Sequence, residues 1–506
     1  MATPLELAQD FLSISSQFKL GHLQTESFHP VTSKLSQTLN KSIHEGIALL
    51  KEVDLKALDL IKVKGHEVHQ MSIRIHEVLT TGGKVFFCGC GATGRLSLVV
   101  ETLYRQQFPT KDNVFSFMAG GDYALIKSVE SFEDKTLYGE QQLMELGFKE
   151  GDLLIASTEG GETPFVIGAA LKAAEVSSYG SYFLYCNPDH LLMDLERCRL
   201  VLTNPKVKKI NLTVGPMGIS GSTRMQASTV LMMAAGAALL KHHLDEKSFI
   251  QYWEESLQEL KALRYDFLAP YIEEEASLYQ AGKFLNYHSD HILGISILTD
   301  TTERSPTFSL RGFENQKGDL SRPSLSYLFL PKTKNAAEGW FQLLSRSPRA
   351  LDWPEFEGRI NLEQVHGFDI SSVGMEGRMR RLQTVVFEIT HHGDYVLFKL
   401  NNNSYKLSVN DDILLTHLKV KVLVNTLSTS IMGLLGRFEG NVMTWVRASN
   451  NKLIDRAARY IQEILKQQNK TPSYNTIVEE IFKQIENLQE NEPIVIKVVE
   501  ALKSSR

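Results

Sequence analysis

Four short segments of this chain carry residue types suited to holding an anion or a polyhydroxylated ligand. The first is Cys88-Gly89-Cys90-Gly91-Ala92-Thr93-Gly94-Arg95, which follows the apolar run Val85-Phe86-Phe87 and precedes a helical pattern. Glycines at 89, 91 and 94 let the backbone turn tightly and bring its N–H groups toward an anion, and the helix start that follows adds partial positive charge. The others are Ala119-Gly120-Gly121-Asp122, the hydroxyl-rich Ser157-Thr158-Glu159-Gly160-Gly161-Glu162-Thr163-Pro164, and Gly215 to Met225 with Gly221-Ser222-Thr223-Arg224 at its end. Hydroxyls, glycine N–H groups and helix starts arriving together suit a phosphate monoester or a sugar. A single loop of this kind reads as turns and caps; several in register read as a binding site. Glu130 and Glu133 lie three residues apart on a stretch expected to be helical, followed by Asp134. Two carboxylates on one helix face can separate in pKa and act as acid and base, or form a solvated face.

The elements that would position these segments alternate. Residues 1 to about 80 carry apolar positions at three- and four-residue spacing and read as helices. Strand-like runs follow at Val85–Cys88, Val114–Met118, Leu153–Ser157, Tyr182–Cys186 and Lys209–Val214, separated by helical patterns. Such alternation predicts parallel strands in a doubly wound α/β sheet, with ligands at the carboxyl ends of the strands. Residues 222–265 read helical, and a second set of strand candidates lies at His291–Leu298, Ser326–Leu330, Phe368–Val373, Val385–Ile389 and Tyr395–Leu400, without a glycine-rich turn of the first kind. From about 412 helical periodicity returns, with an amphipathic tail at 457–505 interrupted near Pro472 and Pro493. The expected units are a helical segment at 1–80, a first α/β domain at 81–265, a second, divergent one at 266–415 and a helical cap at 416–506.

At 506 residues the chain exceeds one ordinary core, and its 43% hydrophobic and 22% charged content is that of a globular protein. A net charge of -5 gives no basic footprint for nucleic acid. Cys88, Cys90, Cys186 and Cys198 have no zinc-type spacing and read as free thiols; no metal triad stands out among the 15 histidines, and no metal or cofactor is expected. The first residues lack the basic and apolar regions of a signal peptide, and no apolar run approaches the roughly 20 residues of a membrane helix, so a cytoplasmic protein is expected.

Cys90-Gly91-Ala92-Thr93-Gly94-Arg95-Leu96, Ala119-Gly120-Gly121, Val129-Glu130-Ser131-Phe132-Glu133-Asp134, Thr163-Pro164-Phe165-Val166-Ile167-Gly168 and Gly221-Ser222-Thr223-Arg224-Met225 resemble, in order and spacing, the sugar isomerase (SIS) domain of N-acetylmuramic acid 6-phosphate etherases and the glucokinase regulatory protein. Thr25-Glu26-Ser27-Phe28-His29-Pro30 is similar to the family's opening Thr-Glu-x-x-Asn-Pro segment. Val424-Asn425-Thr426-Leu427-Ser428-Thr429, Gly440-Asn441-Val442-Met443 and Asn451-Lys452-Leu453-Ile454-Asp455-Arg456-Ala457 resemble the helical segment that, in the short etherases, directly follows the Gly-Ser-Thr-Arg-Met motif. Here a second strand-bearing unit intervenes, as in the tandem-SIS regulatory protein. The resemblance implies a hexose or amino-sugar 6-phosphate held by Gly91, Thr93, Gly94, Arg95, Ser157, Thr158, Thr163, Glu130, Glu133 and Ser222, with a sugar kinase as a partner. It further implies either a monomer whose two domains pack as the etherase dimer does, or a dimer. The lyase's catalytic glutamate, eight residues after the arginine of the turn, is matched by Leu103; Glu101 lies about 200° away around a helix. Gln226 replaces the usual lysine, and Glu159-Gly160-Gly161-Glu162 lengthens a Ser-Gly-Arg turn. These departures favour a regulatory binder. An etherase releasing D-lactate, with Glu133 and a relocated Glu101 as its acids, or an aldose-ketose 6-phosphate isomerase, is the alternative.

Overall fold

The computed structural model describes residues 3–18, 20–129, 132–446, 448, 450–466, 468–489 and 492–504. The chain opens with helices α1 (Pro4–Ile14), α2 (Leu35–Lys41), α3 (Ile43–Ile61) and α4 (Gly65–Thr80). Ser42 caps α3 by accepting from Glu45 N–H at 3.3 Å. The first sheet comprises β1 (Val85–Gly89), β2 (Val114–Met118), β3 (Leu153–Ser157), β4 (Ser181–Tyr185) and β5 (Val207–Asn211), all parallel, in the order β2-β1-β3-β4-β5. Every residue of β1, β3 and β4 is buried, as expected of strands covered on both faces by crossover helices. These helices are α5 (Gly91–Gln107), α6 (Thr136–Glu145), α7 (Pro164–Val176), α8 (Asp189–Leu192) and α9 (Glu196–Leu202); α10 (Gln226–Leu240) and α11 (Glu246–Ala262) follow the sheet. The strand order reverses between β1 and β3, and the crevice of such a sheet opens there, beyond the strands' carboxyl ends.

The stretch around Glu133 departs from expectation: the described residues 132–135 form a turn before α6 rather than a helix. Phe132 is fully buried and stacked on Trp353 at 5.3 Å and Phe356 at 5.2 Å, and Glu133 C=O accepts from Phe165 N–H at 3.1 Å, so this backbone is anchored from outside.

After α12 (Ala269–Gln280), the second sheet contains β6 (Phe284–His288), β7 (Ser326–Phe329), β8 (Thr384–His391), β9 (Tyr395–Leu400) and β10 (Asn403–Ser408), in the order β10-β9-β8-β6-β7. Its β7-β6-β8 part is parallel, and β8-β9-β10 is an antiparallel meander. Two strand expectations are corrected. His291–Leu298 lies across a turn and the start of α13 (Gly294–Phe308), because Asp290 accepts from Ile292 N–H at 2.8 Å and Leu293 N–H at 3.0 Å and turns the chain into a helix buried on most sides. A short apolar run fits either element by periodicity. Phe368–Val373 is a connection in which Ile370 C=O accepts from Leu330 N–H at 2.7 Å before the next helix starts at Ser372. The edge strand β10, polar along much of its length, gave no apolar signal.

Helices α14 (Ala336–Leu344), α15 (Leu362–His366) and α16 (Ser372–Arg381) complete this unit, and α17 (Ile413–Leu434) runs through the middle of the molecule with 19 of its residues buried. Between the units Arg224 donates to Asp300 at 2.9 Å, and Asp300 also accepts from Asn425 and Ser428 at 2.8 Å each. The tail forms α18 (Asn451–Lys466), α19 (Tyr474–Ile485) and α20 (Ile494–Ser504), broken where the prolines predicted. Among the described residues no helix is long and apolar enough to cross a membrane.

Candidate functional site

At the β1 end of the crevice the turn into α5 is built from its own side chains. Cys90 N–H donates to Thr93 Oγ1 at 3.0 Å, and the Thr93 hydroxyl donates back to Cys90 C=O at 2.9 Å. The Thr93 hydroxyl therefore holds the turn. Gly91 has φ +54, and a Cβ there would meet nothing within 4 Å, so the backbone is bare toward the crevice at the amino end of α5. Gly94 instead permits packing, since a Cβ there would lie 2.5 Å from Met118 Cβ. Arg95 points away from the opening: its guanidinium donates to the carbonyls of Ala124 and Leu125 at 3.1 Å and to Thr302 of the second unit at 3.2 Å.

The loop after β3 faces this turn. Ser157 Oγ is buried and has no hydrogen-bond partner. Thr158 and Thr163 hydroxyls meet at 3.0 Å, and Gly161 N–H donates to Thr158 Oγ1 at 3.3 Å. The two glutamates of the loop have opposite electrostatics. Burial pushes Glu159 up to about 8, helped by the nearby Glu303, and its Oε1 has no partner. Glu162 is equally buried, but Lys452 at 2.6 Å and Arg197 at 2.9 Å outweigh the desolvation and bring it down to about 2.

Glu133 completes this face through neutral donors: the Cys90 thiol at 3.3 Å and Asn450 Nδ2 at 3.2 Å. Burial and the Glu133 charge push Asp134 up to about 6. Glu130 lies outside the described residues. The opposite wall is α18. Its Arg456 forms a two-armed pair with Glu26 at 3.0 and 2.6 Å, Arg459 adds a third bond to Glu26 at 2.9 Å, and Tyr460 donates to Ser220 C=O at 2.5 Å. Ser222 is buried in that same loop, its N–H bonded to Ile219 C=O at 2.9 Å. Glu303, on α13, reaches in from the second unit; burial raises its pKa against Arg95, Arg224 and Lys421, which lower it. The structure thus brings Gly91, Ser157, Thr158, Thr163 and Glu133 around one crevice and turns the Arg95 head away. Sequence reasoning missed Glu159 as a perturbed acid and gave no role to Asn450, Lys452 or Glu303. Only Lys452 had a signal, in its Asn451-Lys452-Leu453 context. Among the described residues no cluster of metal-ligating side chains occurs.

The profile described as glucokinase regulatory protein N-terminal SIS domain matches residues 68–174. An N-acetylmuramic acid 6-phosphate etherase of Picosynechococcus sp. is 32% identical over 216 residues, which cover 42% of this chain and 67% of that protein. The chain belongs to this SIS family. The etherase of Prochlorococcus marinus is also 32% identical, over 215 residues, and the match spans 64% of that protein's length and 42% of this chain. Among solved structures, the C-terminal domain of glucosamine-fructose-6-phosphate aminotransferase from Francisella tularensis aligns with 75% of this chain and 96% of its own at 12% identity, with a TM-score of 0.38.

Within the SIS family frame, Leu103 is fully buried among core side chains. Glu101 does not take its place. It accepts from Arg105 at 2.8 Å, Arg346 at 3.1 Å, Arg349 at 2.8 and 2.9 Å and Ser116 N–H at 3.1 Å, on the flank of β2. Burial opposes its charge, but the guanidiniums win and hold the carboxyl far below the usual carboxylate range. The candidate catalytic role for Glu101 is corrected accordingly: an acid locked by three arginines has no proton to exchange near neutral pH and does not share the crevice with Glu133.

Proposed function

We propose that this protein binds a hexose or amino-sugar 6-phosphate in the crevice between β1, β3 and α18 and acts as a regulator rather than a lyase. The observation that carries this reading is the convergence, at the reversal of strand order, of the bare amino end of α5, the unpartnered Ser157 hydroxyl and Glu133, which accepts from a thiol and an amide. Phosphate takes the helix start and Ser157, and Glu133 accepts from sugar hydroxyls. A regulator of this kind works in the cytoplasm as a monomer, its two units packed through Arg224 and Asp300, with a sugar kinase as its partner. The lyase chemistry requires a second acid where Leu103 stands, and general acid-base groups contribute about 10² to 10⁴ in rate.

Incubation with N-acetylmuramic acid 6-phosphate therefore releases little or no lactate, while the compound still binds. Robust lactate release by the wild-type protein would replace the regulatory reading with the lyase. One observation favours that second reading: Glu159, an acid poised near neutral pH, shares the crevice with Glu133. Loss of lactate release in Glu159→Gln would assign it.

A further inference from the structure

Glu133 sits in a turn that does little to hold itself. The backbone bonds beside it are long, Phe132 N–H to Val129 C=O at 3.4 Å and Lys135 N–H to Phe132 C=O at 3.5 Å, and no side chain caps the start of α6 at Lys135. From the rest of the first unit, Phe165 N–H holds Glu133 C=O at 3.1 Å. The seat of the turn is the residue next door. Phe132 is fully buried among four rings: Tyr138 at 4.7 Å and Phe165 at 6.0 Å from the first unit, and Trp353 at 5.3 Å and Phe356 at 5.2 Å from the second, these two stacked at 20° and 26°. Consecutive Cα atoms are about 3.8 Å apart, so where Phe132 is seated, Glu133 follows.

Trp353 and Phe356 belong to a strap, residues 345–361, that leaves the second unit after α14, lies against the first and returns at α15. The strap is fastened before it reaches Phe132. Arg346 pairs with Asp122 at 2.6 Å and Glu101 at 3.1 Å, Arg349 N–H donates to Asp122 at 2.7 Å, and Leu351 packs so closely on Gly121 that a Cβ there would lie 3.0 Å from its Cγ. Trp353 Nε1 then donates to Glu145 of α6 at 2.8 Å, which fixes the ring that faces Phe132. We infer that Trp353 and Phe356 are positioning residues for Glu133, by which the second unit sets how strongly the crevice prefers a sugar phosphate to bare phosphate. This rests on the sugar-phosphate reading above, in which Glu133 accepts from sugar hydroxyls while the phosphate sits at the amino end of α5. Displacing the rings moves the acceptor for the sugar and leaves the phosphate seat, built from β1, β3 and α5, where it is.

Isothermal titration at neutral pH with N-acetylmuramic acid 6-phosphate and with inorganic phosphate tests the inference. The wild-type chain prefers the sugar phosphate by about tenfold or more, the scale of one hydrogen bond to a charged group, and Glu133→Gln loses most of that preference. Trp353→Leu, with folding verified by circular dichroism, loses it to the same extent, while its affinity for inorganic phosphate stays within about twofold of wild type. Adding Trp353→Leu to Glu133→Gln removes nothing further, and Trp353→Phe, which keeps a ring on Phe132, restores the preference. If Trp353→Leu does not fold, Phe356→Leu takes its place with the same expectations. An untouched preference, a parallel loss of both affinities, or losses that add in the double variant overturns the positioning inference and leaves the sugar-phosphate reading standing. Equal wild-type affinities, or a preference that survives Glu133→Gln, take Glu133 off the sugar and the inference falls with it. Binding of neither compound by the wild-type chain removes the sugar-phosphate reading as well.

Discussion

Glu159 and Glu162 share one loop and one degree of burial, yet the first lacks a counter-charge and the second has two. Their pH dependences therefore run in opposite directions. Glu159 has a folded pKa near 8 against an ordinary value of 4.5, so as pH rises from 4.5 to 8 the unfolded chain gives up this proton first and stability falls. Glu159→Gln removes that penalty. Its stability relative to wild type, read from urea denaturation, grows by up to a few kcal/mol between pH 4.5 and 8; a constant difference would mean that Glu159 is ionised throughout. Glu162, lowered to about 2, contributes stability that is present above 4.5 and lost as pH falls toward 2. Lys452→Met leaves Glu162 with Arg197 alone and costs about 1.5 to 3 kcal/mol at neutral pH, the scale of a hydrogen bond to a charged group. The hydroxyls, glycines and Glu133 were legible because loop composition and motif order are local properties of the sequence. The Lys452–Glu162 pair was not, because 290 positions separate partners that only the fold brings together.

At the scale of elements, α5 is fixed at both ends by different chemistry. Its start is closed by the Cys90–Thr93 exchange, and Thr93→Val costs about 0.5 to 2 kcal/mol in thermal or urea unfolding by opening that cap. Farther along, Glu101 ties α5 to the segment after α14 through Arg346 and Arg349. Glu101→Gln leaves Arg349 buried without its ion-pair partner, while Arg346 keeps Asp122 at 2.6 Å, and costs about 3 to 5 kcal/mol in urea unfolding, with ligand affinity unchanged. A large loss of affinity without a loss of stability would return Glu101 to the site. Strands β1, β2 and β3 were legible because their apolar runs end at turns that carry glycines. The Asp290 turn and α13 were misread because an eight-residue apolar run reads the same in a buried strand and a buried helix. The turn at Glu133 was misread because Phe132 is held by Trp353 and Phe356, far along the chain.

At the scale of the molecule, the two sheets are joined by a buried polar seam in which Arg224, Asp300, Asn425 and Ser428 come from the first unit, the second unit and α17. Composition carried no sign of this seam, although the order of motifs did imply two packed units and a returning helix. α18 then reaches the first unit from the far end of the chain through Lys452–Glu162 and Arg456–Glu26, so the proposed binding would be linked to folding of the tail. The measurement that tests the account most directly is thermal unfolding of the full chain with a hexose or amino-sugar 6-phosphate beside the corresponding free sugar. At 100 times its dissociation constant the phosphorylated sugar stabilises the protein by about 2.7 kcal/mol and raises the Tm, and the free sugar leaves it unchanged. Equal shifts with and without phosphate, or no shift with either, would contradict a phosphate seat at the start of α5.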